Sequence, residues 1–295
     1  MSHQLIKLLN NLGIIDENQL YQYYPFVRDR KDVAVLRCKK SGVIVLSRID
    51  HLSDSYYQKR SEKNSISVGQ EEVKTPRLPD NIRRAKDFGN YIRGKEWLDF
   101  GCGLGGMLDE IGKEAKCAVG LEPNEQRLQI CESKGHQVMA NLEEIDNNSL
   151  DIITMFHVME HLTNPLEILL QLWAKLRLGG ILLIEVPHAR DALFNLYDCE
   201  SFKQFTFWSE HLVLHTRQSL ELLIRESGFQ KIYVTGYQRY PLANHLYWLA
   251  KSNPGGHDKW SFMLNESLDE SYEATLARLD MTDTLLCQAR KLTNP

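Results

Sequence analysis

Residues Trp97–Gly106 read WLDFGCGLGG, and the interpretation of this stretch decides the fold. Trp97–Phe100 is a short apolar run with strand character, and four closely spaced glycines follow it directly. A helical pattern begins at once, with Met107, Leu108, Ile111 and Ala115 on one face. Gly101, Gly103 and Gly106 satisfy the spacing of a dinucleotide fingerprint, whereas Gly101, Gly103 and Gly105 suit another nucleotide-binding loop. The loop therefore holds either a pyrophosphate or a ligand without phosphates.

The same alternation continues outward. A strand over Ala118–Leu121 ends at Glu122-Pro123, and the next helix closes at Gly135. Leu150–Phe156 reads as a strand. A helix follows, capped by Asn164, with Pro165 in its first turn and Gly179-Gly180 as its stop. Ile181–Val186 is nearly all apolar, as expected of a strand covered on both faces. Thr216 caps a helix ending near Gly228, and Ile232–Thr235 is a further strand. Alternating strands and helices specify an α/β fold with a parallel sheet, whose ligands bind at the carboxyl ends of the strands.

Upstream, Leu5, Ile6, Leu8 and Leu9 suggest a short amphipathic helix. Val33–Leu36 and Val43–Leu46 flank Ser41-Gly42 as a hairpin. Ser61–Pro79 is polar and proline-punctuated, a connector or a loop over a site. This gives an N-terminal extension over 1–80 and a main domain over 81–295.

Bulk properties narrow the function. The chain has 295 residues, 43% hydrophobic and 25% charged, with a net charge of −4 that gives no reason to expect nucleic acid. Arg83-Arg84 reads as a solvated helix face. The six cysteines form no CxxC pair, which argues against a disulfide framework or zinc ribbon. Cys117 and Cys131 read as buried small hydrophobes. No apolar run approaches a membrane span and no signal peptide is evident, so a cytoplasmic protein without membrane insertion is expected.

Glu122, one strand after the glycines, suits the two hydroxyls of a ribose, which NAD and S-adenosylmethionine share. Asp99 separates them. Its charge would repel a pyrophosphate but favours the ammonium and sulfonium of S-adenosylmethionine. The carboxylate of that ligand can use the loop amides and the helix N-terminus.

LDFGCGLGG, VGLEPNEQRL, LDIITMFHVMEHLTNP and LRLGGILLIEVPH together resemble the class I S-adenosylmethionine-dependent methyltransferases. That resemblance implies a Rossmann-like sheet of seven strands, mostly parallel, whose last strand is antiparallel and placed at Thr284–Arg290. Gly236–Asp283 is then a helical insertion before it. It also implies that Asp99, Gly101, Cys102 and Gly103 meet the methionine part of the donor, that Glu122 takes the ribose, and that Asn141-Leu142 lie beside the adenine. HLVLHTRQSLELLIRESGF resembles a stretch of bacterial sugar and glycan methyltransferases. Some relatives carry an N-terminal zinc cluster, but RCKKSG keeps only Cys38, so no metal is assigned there.

In FHVMEHL, His157, Glu160 and His161 share a face if Val158–Leu162 starts a helical turn. His157 is then a donor contact or a general base, or the three ligate a divalent metal, since some quinone O-methyltransferases of the family it resembles look like they use an acidic cluster here, or Glu160 and His161 brace the junction. His188, after the fifth strand, is a further catalytic candidate on the acceptor side. In the insertion, Arg239, Tyr240, Asn244 and His245 are expected to bind the acceptor, with aromatic residues stacking on it. Ser267–Leu279 would anchor this cover as a helix, with Leu268, Tyr272, Leu276 and Leu279 at helical spacing.

The expectation is methyl transfer to a small polar acceptor, first a sugar and first at oxygen. A quinone or phenol acceptor, and an NAD-dependent oxidoreductase, are the alternatives. Oligomeric state is open, with a homodimer among the options.

Overall fold

The computed structural model describes residues 3–52 and 79–293. The expected connector at Ser61–Pro79 lies outside these residues except for Pro79, which opens a helix over Pro79–Ile92.

The strands are β1 (Leu20–Tyr24), β2 (Val35–Cys38), β3 (Ile44–Leu46), β4 (Glu96–Phe100), β5 (Cys117–Leu121), β6 (Gln137–Met139), β7 (Leu150–Phe156), β8 (Leu176–Pro187), β9 (Val213–Leu214), β10 (Gln230–Tyr237) and β11 (Thr284–Arg290). Seven of them form one sheet in the order β10-β11-β8-β7-β4-β5-β6. β4, β5, β6, β7 and β8 run parallel, and β11 is antiparallel to both β8 and β10. This is the Rossmann-like sheet of class I methyltransferases, with the last strand where it was expected.

The sheet is covered on both faces, which explains its continuous apolar strands. Leu98, Ile153, Leu182 and Ile184 pack into one layer with Leu169, Leu172, Leu220 and Leu223 from the helices Pro165–Lys175 and Arg217–Glu226. Their neighbours Trp97, Ile152 and Leu183 turn the other way, onto Ile92, Met107, Leu108 and Ile111. Side chains alternate across a strand, so one apolar run serves both layers.

The hairpin is present as β2 and β3, with Val35 opposite Leu46. Two additions were not anticipated. β1 extends it on one side, and β9 pairs with β3 on the other, Ile44 opposite Leu214. The N-terminal segment therefore completes its sheet with a strand contributed from beyond residue 200.

Several local readings need correction. The helix after Asn164 ends at Lys175, not at the glycines; Leu176–Gly180 begins β8 instead, with Gly179 at φ +85°. Asn164 holds the cap position, but its amide donates to Glu167 rather than its oxygen accepting a helix amide. Thr216 does cap its helix, accepting from the Ser219 amide. Cys131 is buried as expected, whereas Cys117 is half-exposed. The insertion carries helices Leu242–Lys251, Gly256–Lys259 and Glu266–Leu279. On the last, Leu276 is buried, but Leu268 and Leu279 face solvent.

Candidate active site

Two cavities meet at the carboxyl edge of the sheet, of about 300 Å³ and 240 Å³, and His157 lines both.

The first lies beside the glycine loop, with Phe100, Gly101, Leu121, Glu122, Arg127 and Leu162 among its walls. Gly101 has φ +76°, and a Cβ there would stand 2.4 Å from Cγ2 of Val158. Only glycine lets the backbone pass so close to the turn after β7. Glu122 is buried, and its carboxylate accepts the amides of Gly103 (3.0 Å) and Asn124 (2.9 Å). It therefore shapes the loop as well as facing the cavity. The buried carboxylate, apolar walls and tight glycine turn fit a nucleoside.

Asp99 does not join it. The side chain is buried and accepts a hydrogen bond from Thr154 Oγ1 at 2.7 Å, and Asp99 is not a wall of the cavity. Burial pushes its carboxyl up to about 6 despite Thr154 and Arg84, which leaves it mostly ionised at neutral pH, but its oxygen is turned to Thr154 rather than into the cavity. Cys102 turns its thiol toward Gly120. Asn141 is exposed and caps the turn Leu142–Glu144, while Leu142 packs into the core. Neither lines the cavity.

His157 follows β7 in the left-handed region, φ +55°, a conformation costly for a residue with a Cβ. Its Nδ1 lies 3.1 Å from Glu160 and its Nε2 3.1 Å from Glu185. Both carboxylates are fully buried. Glu185 also accepts Arg83 at 2.7 Å and Arg84 at 2.6 Å. Burial pulls the imidazole down, but Glu160 and Glu185 outweigh it and Arg239, so its pKa is raised. Burial would raise Glu160, yet His157 and His161 hold it down to about 2. Glu185 is held well below the carboxylate range against burial by His157 and Arg84. Arg239 Nη1 also lies 3.0 Å from Nε2, so both ring nitrogens are engaged by neighbouring side chains. His157 stands in the wall that the two cavities share.

The sequence does hold a signal for this network. Glu185 is the one charge inside ILLIEVP, and a carboxylate in a strand covered on both faces must be paired. Arg83-Arg84 are its partners, not a solvated face; Arg84 is 8% exposed.

His161 also faces the network, with Nδ1 2.8 Å from the carbonyl of Glu210. Glu160, His161 and His211 each bring a ligand atom to within 4.8 Å of one another, the set a divalent cation could use. His188 is buried, with Nδ1 2.9 Å from the Thr282 carbonyl and Nε2 3.8 Å from Asp280. Burial lowers it to about 4, so it is neutral.

The second cavity has an aromatic wall of Phe194, Phe202, Phe205 and Trp248. Phe202 meets Phe194 at 5.1 Å and Trp248 at 5.3 Å between ring centroids. All four residues expected to bind the acceptor line it, but three are already engaged. Arg239 is tied to Asp80 and lies 3.0 Å from His157 Nε2. Asn244 accepts the Gly256 amide at 3.2 Å. His245 pairs with Tyr272 at 2.7 Å and with Gln238 at 3.2 Å.

Among the described residues no helix is long and apolar enough to cross a membrane. A family profile described as a methyltransferase domain matches residues 71–234. The ubiquinone biosynthesis O-methyltransferase of Photobacterium profundum is 22% identical over 188 residues, covering 59% of this chain and 80% of that protein. The protein of the same name from Acinetobacter baylyi is 25% identical over 174 residues, covering 54% and 73%. A crystal structure of an S-adenosylmethionine-dependent methyltransferase from Archaeoglobus fulgidus superposes with a TM-score of 0.52 at 20% identity, over 71% of this chain and 92% of that one. The match covers more than half the chain, and NAD is thereby set aside: this protein belongs to the methyltransferase-domain family and is an S-adenosylmethionine-dependent enzyme of the class I fold.

Proposed function

We propose that the chain transfers a methyl group to a hydroxyl of a small phenol-type ring bound in the aromatic cavity. The observation that carries this is the meeting of the two cavities at His157. A donor in the glycine-loop cavity, with its ribose at Glu122, presents its reactive end toward that wall. When bound, it supplies an electrophilic methyl on a sulfonium, for which the neutral thioether is the leaving group. The chain's own contribution is to orient the two ligands, keep water out with apolar walls, and fix His157 between them.

A flat ring suits four aromatic side chains that meet edge-on and tilted. The carbohydrate expectation counted on Asn244, His245 and Arg239 as hydroxyl and anion partners, and these are spent on contacts within the protein. The relatives named for ubiquinone biosynthesis add weight to the phenolic reading.

The test is to supply radiolabelled S-adenosylmethionine with catechol or with a hexose. Label in the catechol ether, and none in the hexose, is expected. Label in the hexose alone contradicts the phenolic acceptor.

A further inference from the structure

Asp191 is a buried carboxyl in the second cavity that no role above uses. It follows β8, caps the short helix Ala192–Asn195, and is only 4% exposed. Oδ1 accepts the Leu193 amide at 2.7 Å. Oδ2 makes no hydrogen bond among the described residues, and Asp191 lines the cavity beside Leu193 and Phe194. An oxygen with free lone pairs, nine-tenths buried beside apolar rings, calls for a donor from the ligand. The neighbouring carboxylate does not share this property. Asp283 is filled by the amides of Arg239 and Tyr240 and by Gln238 Nε2.

We propose that Asp191 receives the reacting hydroxyl of the acceptor and takes its proton, an inference that rests on the phenolic reading above. The O–H bond breaks toward Asp191 Oδ2. The acceptor oxygen forms its bond to the methyl carbon as the bond from that carbon to sulfur breaks, and the sulfur keeps the electron pair. Charge balances: a cationic donor and a carboxylate become a neutral thioether and a carboxylic acid, which then loses its proton to solvent.

The electrostatics of the cavity agree with this. Burial, then Asp283, raise the Asp191 carboxyl well above its ordinary value. Among the lining residues, Arg239 is committed to Asp80, and His157 is held between Glu160 and Glu185. His188 and His245 are held neutral by burial, and the Tyr272 hydroxyl is pushed far up. Asp191 therefore lacks a cationic partner until the sulfonium arrives, and that charge favours its ionised form. Proton uptake is thus coupled to donor occupancy.

Asp191→Asn tests this, because asparagine caps a helix as well as aspartate does. Calorimetry at pH 7 in two buffers of different ionisation enthalpy counts protons released on binding. S-adenosylmethionine should release more than S-adenosylhomocysteine in the wild type, and this difference should shrink in Asp191→Asn, where His157 alone still responds. An unchanged difference overturns the proposal. S-adenosylhomocysteine affinity should stay within about twofold, while catechol turnover falls roughly a hundredfold or more and loses its rise with pH. Catechol turnover at the wild-type rate in Asp191→Asn overturns Asp191 while leaving the phenolic reading intact. A wild type with the linked proton release but no catechol turnover keeps Asp191 and removes the phenol.

Discussion

The two cavities that meet at His157 are assembled in opposite ways. The glycine-loop cavity takes most of its walls from Phe100–Arg127, one strand–helix–strand–helix run in which Gly103 and Glu122 are joined by a hydrogen bond 19 residues apart. The aromatic cavity draws on Pro187 through Thr284, with His157 from outside that span. A site built from one short run carries its own spacing rules, so a motif can announce it. A site built from a loop after β8, a short helix, an insertion and the start of β11 has no such rule, because each wall is set by packing.

That contrast can be broken first at the network between the cavities, where the largest effect is expected. Glu185→Gln leaves Arg83, Arg84 and His157 without their shared anion, and should lower unfolding stability by about 3–5 kcal/mol. Chemical denaturation measures it; a loss under about 1 kcal/mol would mean the arginines reach solvent instead. Glu122→Ala comes next. If Glu122 takes the ribose as proposed, its removal should weaken S-adenosylhomocysteine binding by about 1.5–3 kcal/mol in a calorimetric titration. Unchanged affinity would move the ribose contact elsewhere.

A subtler effect is the pH dependence of stability, and the network predicts two limbs. Glu160 is depressed to about 2 from an ordinary 4.5, so its contribution is complete above about pH 4.5 and is lost as pH falls toward 2. His157 is raised above 6.5, so its contribution is complete below 6.5 and is lost as pH rises through the folded value. Unfolding at a series of pH values should show both, and His157→Gln should flatten the alkaline limb. An acid limb with no alkaline limb beside it would assign His157 no charge in the folded protein. The smallest effect serves as a reference: removing the exposed pair Glu221–Arg225 should cost about 0.3–0.5 kcal/mol, far from either cavity.

The sheet was legible in the sequence because its strands are apolar on both faces and its loops are punctuated by glycine and proline. Even Thr284–Arg290 was placed through family likeness, not through its own pattern. β1 was missed since LYQYY alternates only weakly, and β9 because a two-residue strand has no period to read. Within the site, the structure puts Gly101 and Glu122 in the wall of the glycine-loop cavity, while Asp99, read as pointing towards the loop, bonds Thr154 and stays out of that wall. Glu185 was overlooked although a lone charge in an apolar strand is a signal. Asp191 had none, as its neighbours in space, Asp283 and Tyr272, are about eighty and more residues away in sequence.

The division of labour between the cavities is tested most directly by titrating Glu122→Ala and Phe205→Ala with S-adenosylhomocysteine. Phe205 stands at the open edge of the aromatic wall, 43% exposed, so its truncation spares the core. Affinity at least tenfold weaker in Glu122→Ala and unchanged in Phe205→Ala is the predicted result. Equal losses in both variants would contradict separate donor and acceptor cavities.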